Sequence, residues 1–143
     1  NKLLEQCSHS EWGAWDVLPA NNWTLGDHVT EFSDCFYQDG KGDADLLVAN
    51  IAFAEALAAR GLTGADLGVG QLWPRSGAPA GTDNPVSFKW VTGYPKLSAY
   101  ANYTHIWWNE GLTNEWNALY GDIVSCDSGR VYRSQVMNTP KGG

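Results

Sequence analysis

Basic residues are scarce in this sequence of 143 residues, which has 9 Lys and Arg against 16 Asp and Glu and a formal net charge of -7. A protein that binds nucleic acid needs a basic surface to neutralise phosphates. Binding to an anionic membrane surface depends on basic clusters too. We therefore expect neither nucleic acid nor a lipid surface as a partner.

Long apolar runs are also missing, since none approaches the roughly 20 residues of a membrane span. We expect no membrane insertion. The sequence has no signal-peptide pattern, which predicts either a mature or an intracellular chain. The length fits a single domain over residues 1–143, with 1–11 as an N-terminal extension and 138–143 as a loose tail.

Cysteines are few and widely spaced, at Cys7, Cys35 and Cys126, with no Cys-x-x-Cys pair. This spacing does not suit a zinc site and suits one long-range disulfide plus an odd thiol. Sequons at Asn22 and Asn102 add two candidate glycosylation sites. Together these features predict a secreted, extracellular glycoprotein. The alternative is a cytosolic protein with three buried thiols.

Familiar catalytic motifs are absent from the sequence. It has no His-Glu-x-x-His motif and no Gly-x-Ser-x-Gly elbow, and the glycines at 68–70 lack the third Gly of a nucleotide-binding loop. We therefore predict no catalytic residues and no enzymatic activity. The alternative is a small secreted enzyme or toxin whose active site the sequence does not reveal.

Aromatic residues are abundant instead, and seven of the 21 residues from 88 to 108 are aromatic. Phe88 and Trp90 alternate with polar neighbours, which predicts a strand that turns both inward, with Trp90 in the core. Trp107 and Trp108 are adjacent, so on a strand they would face opposite ways. Either one of them is exposed as a binding anchor or both are buried. Trp116 is expected in the core.

Two short helices are predicted early in the chain. Thr24 is a candidate N-cap for the first, and Val29, Phe32 and Phe36 lie on one helical face. The Ala-rich segment 51–60, followed by Gly, predicts the second. Residues 44–50 between them look like a strand or an extended link.

Strands and loops fill the remainder. Strands are expected at 11–18, 67–73, 86–91, 123–126 and 129–133, with loops at 74–85 and 94–100. The sequence therefore predicts an α+β fold with two short helices, short antiparallel strands and a long loop region.

This order of elements resembles the C-type-lectin-like domain. The matching segments are 22–35 as helix one, 44–50 as a link, 51–60 as helix two with Glu55 and Leu57, Leu67-Gly68-Val69-Gly70, Phe88–Gly93, 102–108, Asn114-Glu115-Trp116-Asn117 as a strand, and Cys126. The resemblance implies a disulfide between Cys35 and Cys126. Cys7 would then be free or would pair with a covalent partner.

The sequence departs from the family pattern at the calcium site. The inner cysteine pair and the calcium tripeptide are absent, and Ala118 replaces an acid. Oxygen ligands for calcium are still available nearby, at Glu110, Asn114, Glu115, Asn117 and Asp122. The alternative, a polar surface loop, is favoured because the tripeptide is missing. We expect no obligatory cofactor, with calcium possible but not favoured.

The resemblance implies a secreted recognition module for a glycan or an extracellular protein. A sugar could stack on an exposed indole without calcium. The predicted ligand-binding residues are Trp107, Trp108, Glu110, Asn114, Glu115 and Asn117.

Overall fold

The computed structural model describes residues 11–21, 24–76 and 86–136. Along these residues the elements are β1 (Glu11–Leu18), β2 (Gly26–Tyr37), α1 (Asp43–Ala59), β3 (Gly68–Ser76), β4 (Phe88–Tyr94), α2 (Leu97–Asn109), α3 (Leu112–Tyr120), β5 (Val124–Cys126) and β6 (Arg130–Val136). Over the described residues the fold is α+β, as predicted, with three helices and one six-stranded antiparallel sheet.

The sheet has the order β1-β3-β4-β2-β5, and β6 also pairs with β2. Residues Val29–Phe32 of β2 pair with β4 and also with β6, so these two strands lie on opposite edges of β2. Cys35 likewise pairs with β4 and with β5. The edge of β2 away from β4 therefore carries β6 and β5 one after the other.

From β2 to β5 the chain follows a β-α-β-β-α-β order. Strands β2 and β3 run in the same direction, with β4 antiparallel between them. This is the split β-α-β motif, with α3 added after α2 and with β1 and β6 added at the two sides. The motif brings β2, β4 and α2 together, although they are far apart in sequence.

The segment predicted as the first helix is the strand β2, so that prediction is wrong. Gly26–Tyr37 pairs with strands on both of its edges, and this pairing overrides a weak local helical pattern. Alternate side chains of β2 point to opposite faces. Glu31 and Ser33 point towards the helices, whereas Phe32 lies on the other face.

Residues 44–50, predicted as strand-like, belong to α1, so this prediction is also wrong. The buried residues Leu46, Ala49, Phe53 and Leu57 recur at helical spacing through both halves of α1. The N–H of Gly42 donates to Asp45 Oδ2 at 3.2 Å and closes the first turn. The predicted second helix is therefore the latter part of a helix of 17 residues.

The predictions for the segments that form α2 and α3 are also wrong. The predicted loop at 94–100 ends β4 and begins α2, the adjacent indoles Trp107 and Trp108 lie on α2 instead of a strand, and segment 114–117 lies within α3. Gly111, with φ of 79°, adopts the left-handed conformation that lets α3 begin directly after α2. The strands predicted at 11–18, 67–73, 86–91, 123–126 and 129–133 are confirmed as β1, β3, β4, β5 and β6.

The core lies between the sheet and the helices. Phe53 of α1 is fully buried against Trp90 and Tyr120, with ring centroids 5.9 Å and 5.7 Å away. Beneath α1, Asn50 and Gln71 exchange two side-chain hydrogen bonds of 2.8 Å and 2.9 Å. The Tyr120 hydroxyl donates to Asn50 Oδ1 at 2.9 Å, so this buried polar cluster is well satisfied.

The predicted disulfide between Cys35 and Cys126 is confirmed and links residues 91 positions apart. The two residues are cross-strand partners on β2 and β5. Cys35 is fully buried in the core, and Cys126 is partly exposed. Cys7 lies outside the described residues.

The opposite face of the sheet is apolar in part and carries charge pairs. Phe32 and Tyr132 meet edge to face at 5.9 Å, and Lys89 Nζ lies 5.3 Å from the ring centroid of Trp12. Asp34 forms ion pairs with Lys89 and Arg130.

Candidate functional site

A groove of about 340 Å³ lies between the sheet and the helices α2 and α3, and we call it the aromatic groove. Strands β2 and β4 supply one side of it: Glu31, Ser33, Trp90 and Thr92. The two helices supply the other: Tyr100, Tyr103, Thr104, Trp107, Trp108 and Trp116. The last residue of β5 and two residues that follow it complete the rim: Cys126, Asp127 and Gly129.

Indole rings form the walls of the aromatic groove at steep mutual angles. Trp90 and Trp116 lie 6.0 Å apart with planes at 78°, and Trp107 and Trp116 lie 6.2 Å apart at 58°. Trp108 stands at 87° to Trp107 and is 66% exposed at the mouth. Rings in such T-shaped and tilted contacts stabilise one another without stacking flat. Some ring surface is therefore left facing the cavity.

The spacing of aromatic residues along α2 explains how one helix covers the groove. Tyr100, Tyr103, Thr104 and Trp107 recur at intervals of three and four residues, which places them on one helical face. The last turn adds Trp108 beside that face. Tyr120 supports the far wall, since its ring lies 5.1 Å from both Trp90 and Trp116.

Glu31 supplies the acidic group on the sheet side of the groove. Its side chain is half-buried, and burial raises the pKa of this carboxyl above its usual value. The Tyr94 hydroxyl, 3.5 Å from Glu31 Oε2, acts in the opposite direction on that pKa. Glu31 forms no ion pair with any residue that the structure describes.

Two buried phenols lie close to this carboxyl. Burial raises the pKa of Tyr94 and of Tyr103 far above the ordinary value, and the charge of Glu31 raises both further. Both phenols therefore stay protonated at any physiological pH and act as neutral donors. The rings of Tyr94 and Tyr103 lie 5.5 Å apart, which ties β4 to α2 at this end of the groove.

Gly129 makes room for the Glu31 carboxylate. A Cβ built on Gly129 would lie 2.1 Å from Glu31 Oε1 and 3.0 Å from its Cδ. Any larger residue there would force the carboxylate to move. At the same rim Asp127 is paired with Arg130, whose Nη1 lies 2.6 Å from Asp127 Oδ2.

The predicted ligand-binding residues are placed in two groups. Trp107 and Trp108 line the aromatic groove. Glu110, Asn114, Glu115 and Asn117 do not line it, and all four are exposed on the end of α2 and on α3. Arg60 holds the carboxylate of Glu115 with two hydrogen bonds of 2.9 Å and 2.8 Å, which lowers the Glu115 pKa.

The candidate calcium ligands Glu110, Asn114, Glu115, Asn117 and Asp122 are spread over the C-terminal end of α2, the length of α3 and the turn after it. Glu110 lies 3.6 Å from His105 Nε2 and Glu115 is paired with Arg60. No group of three or more His, Cys, Asp or Glu suited to a metal occurs within the described ranges. Calcium binding, the alternative that the sequence did not favour, is untested.

The two predicted glycosylation sites are Asn22 and Asn102. Asn102 is exposed on α2, two residues before Thr104 in the groove lining. Asn22 lies outside the described residues. A glycan on Asn102 would stand beside the groove, on the outer surface of the helix.

A second, smaller hollow of about 270 Å³ lies between α1 and the strands β1 and β3. It is lined by Trp15, Asp43, Leu46, Leu47, Asn50 and Trp73. Asp43 accepts a hydrogen bond from the Tyr37 hydroxyl, and Asn50 is part of the buried amide cluster. This hollow therefore offers fewer free polar groups than the aromatic groove does.

Sequence reasoning did not identify Glu31 as a site residue. Its position becomes visible only when β2 is recognised as a strand, since alternation then places Glu31 and Ser33 on the helix-facing side. Tyr100 and Tyr103 carried a usable signal, namely their helical spacing with Trp107. The loop predicted at 94–100 does not take this spacing into account.

Comparisons with known proteins found no matching family model, and no significant match among curated proteins or solved structures. They do not identify a C-type-lectin-like domain, and that resemblance stays a prediction. No helix in the described part of the chain is long and apolar enough to cross a membrane.

Proposed function

We propose that this protein is a recognition module that binds a small ligand, or one unit of a larger ligand, in the aromatic groove. The observation that carries the proposal is a cavity of about 340 Å³ walled by indole and phenol rings. Small-molecule sites are typically concave, of roughly 300–1,000 Å³, and mostly apolar with a few polar groups that fix orientation. The groove meets each of these criteria.

The polar groups of the groove lie on the sheet side and on α2. Ser33 and Thr92 line the groove from neighbouring strands and carry hydroxyl groups, and Glu31 adds a carboxyl group. Such a set can hydrogen-bond the edge of a ligand while an apolar face of the ligand lies against Trp107. A sugar ring has this combination of a C–H face and hydroxyl edges, so a glycan unit is one candidate ligand.

An extracellular setting remains part of the proposal. The disulfide between Cys35 and Cys126 is typical of proteins from oxidising compartments. We propose a secreted glycoprotein, modified at Asn102, whose partner is a glycan or an extracellular protein that inserts one side chain into the groove. The C-type-lectin-like assignment is kept as a separate prediction on which this proposal does not depend, because β2 occupies the place of that family's first helix.

The test is a binding survey with two matched tryptophan variants. Ligand-observed NMR on methyl glycosides, aryl alcohols and alkylamines would find binders, and calorimetry would give their affinities. Trp108→Ala removes an indole at the mouth of the groove, whereas Trp15→Ala removes a comparably exposed indole at the second hollow. We expect Trp108→Ala to weaken binding roughly tenfold and Trp15→Ala to leave it unchanged. Absence of any binder, or equal losses in both variants, would reject the proposal.

One observation favours a second candidate function, that of an enzyme. A half-buried carboxyl whose pKa is raised, set in an aromatic cleft, is a candidate proton-transfer group. Turnover of any bound compound that is abolished by Glu31→Gln, with binding retained, would favour the enzyme over the recognition module.

A further inference from the structure

We propose that the aromatic groove selects a small organic cation of the alkylammonium class, with its charged head among Trp90, Trp107 and Trp116 and facing Glu31. This inference rests on the proposed function, because it names the ligand class of the same groove. Three features of the described residues support it: the ring geometry, the distribution of charge, and the cost of a half-buried carboxylate that has no counter-charge.

The indole rings lie at steep angles to one another and do not stack face to face. Trp90 and Trp107 each meet Trp116 at a steep angle, 78° and 58°, with centroids 6.0 Å and 6.2 Å apart. The face of an aromatic ring carries partial negative charge and attracts a cation within about 6 Å, and quaternary ammonium groups are commonly held by several such rings. The methyl groups of an alkylammonium head also provide the apolar surface that indole faces favour.

The charge of the groove has one sign. Among its lining residues there is no Lys, Arg or His, and the two ionisable carboxylates are Glu31 and Asp127. Arg130 neutralises Asp127 through a contact of 2.6 Å. Glu31 has no cationic partner in the described part of the chain, so its negative charge is available to a ligand.

A cationic ligand would also offset the cost of burying the Glu31 carboxylate without a counter-charge. A half-buried carboxylate without a counter-charge is costly, and an opposite charge placed nearby removes that cost. A neutral ligand of the same shape would gain the same ring contacts but would leave the carboxylate uncompensated. The groove should therefore discriminate between a cation and its neutral isostere.

The position of the carboxylate can be changed without removing its charge. Since a Cβ on Gly129 would lie 2.1 Å from Glu31 Oε1, Gly129→Ala should push the carboxylate away from its present place. Gly129 is exposed and has no positive φ, so alanine is tolerated by the backbone. This variant therefore tests whether the position of the Glu31 charge matters, while the charge itself is kept.

The test is calorimetric titration at pH 7.5 with choline and with its neutral carbon isostere, 3,3-dimethylbutan-1-ol. We expect choline to bind the wild-type protein about tenfold or more tightly than the isostere. Glu31→Gln should remove most of this preference and leave only the part that the ring faces supply, and Gly129→Ala should reduce choline affinity several-fold. Glu55→Gln removes one negative charge from the exposed surface of α1 and should change neither affinity.

The outcomes separate this inference from the proposed function. Equal affinities for choline and the isostere would overturn the cation preference and leave a binding groove. Binding of a methyl glycoside or aryl alcohol in the survey, with no binding of choline, would do the same. Failure of every compound, choline included, would overturn both. A choline preference of unchanged size in Glu31→Gln would show that the carboxylate has no part in selection and would also overturn the inference.

Discussion

The helix-facing side of the sheet is packed in two different ways. Beneath α1, Phe53 and Leu57 are fully buried, and the amides of Asn50 and Gln71 satisfy each other. Beneath α2 and α3, indole rings meet edge to face around a cavity, and the carboxylate of Glu31 has no ion-pair partner among described residues. We infer that the α1 region supplies stability and that the aromatic groove is kept open for binding.

The disulfide joins the packed core to the aromatic groove, and its loss should have the largest effect on the free energy of unfolding. Cys35 lies in the core and Cys126 lines the groove. Because the bond closes a loop between residues 91 positions apart, the double variant Cys35→Ser, Cys126→Ser should lose about 4–5 kcal/mol of unfolding free energy. Denaturant titration in a Cys7→Ser background measures this without the odd thiol. A loss below about 1 kcal/mol would mean that the bond does not constrain the unfolded chain.

Truncation of one large side chain in each region tests the difference directly. Phe53→Ala should cost about 3–5 kcal/mol, because it leaves a cavity between α1, Trp90 and Tyr120. Trp108→Ala should cost well under 1 kcal/mol, because this indole is 66% exposed. Chemical denaturation of both variants gives the comparison. Similar costs would contradict the division into a packed and an open region.

The amide cluster should be the next most sensitive feature of the α1 region. Asn50→Leu removes the partner of both Gln71 and the Tyr120 hydroxyl, and we expect a loss of about 1–3 kcal/mol from these unsatisfied buried groups. Asn114→Leu, on the exposed surface of α3, is the matched control and should be close to neutral. If the two variants unfold at the same denaturant concentration, the cluster is not a stabilising element.

Substitution of Glu31 should have the smallest effect on stability, and the size of that effect should depend on pH. Burial raises the folded-state pKa of the Glu31 carboxyl above the ordinary 4.5. The stability linked to its protonation is therefore fully present below the ordinary pKa and is lost as the pH rises through the folded-state pKa. Titratable neighbours are Tyr94 and Tyr103, with Asp127 and its partner Arg130 at the rim.

Glu31→Gln should therefore be slightly more stable than the wild type at neutral pH, and this advantage should shrink towards pH 4. Thermal unfolding of both proteins from pH 4 to pH 8 measures it, with Glu55→Gln as the charge-matched control. Parallel pH profiles for the wild type and Glu31→Gln would show that the Glu31 carboxyl is not destabilised by burial.

The sequence predicted the parts of the fold that depend on local pattern. Alternation identified β4 with Phe88 inward, and the late strands β5 and β6 were also predicted. The central strand was missed because Val29, Phe32 and Phe36 also fit a helical face, and only pairing on both edges decides between them. The start of α1 was missed because the run from 44 to 50 is short and apolar, which leaves helix and strand ambiguous.

Only part of the candidate site could be predicted from the sequence, for a related reason. Trp107 and Trp108 were identified from their type alone, since exposed indoles are common in binding sites. Glu31 was not identified, because its role in the groove depends on Gly129 and Tyr94, which are 98 and 63 positions away in sequence. Contacts of that range are set by the sheet order and leave no local signal.

The central claim is that the aromatic groove binds a ligand while the other tryptophans do not take part. The most direct measurement is the ¹⁵N–¹H spectrum of the tryptophan indoles, assigned by single substitutions and recorded during titration with choline at pH 7.5. Signals from Trp90, Trp107, Trp108 and Trp116 should shift together and saturate, while those from Trp12, Trp15 and Trp73 stay in place. Shifts spread over both sets, or none in the groove set with choline or with any compound of the binding survey, would contradict the account.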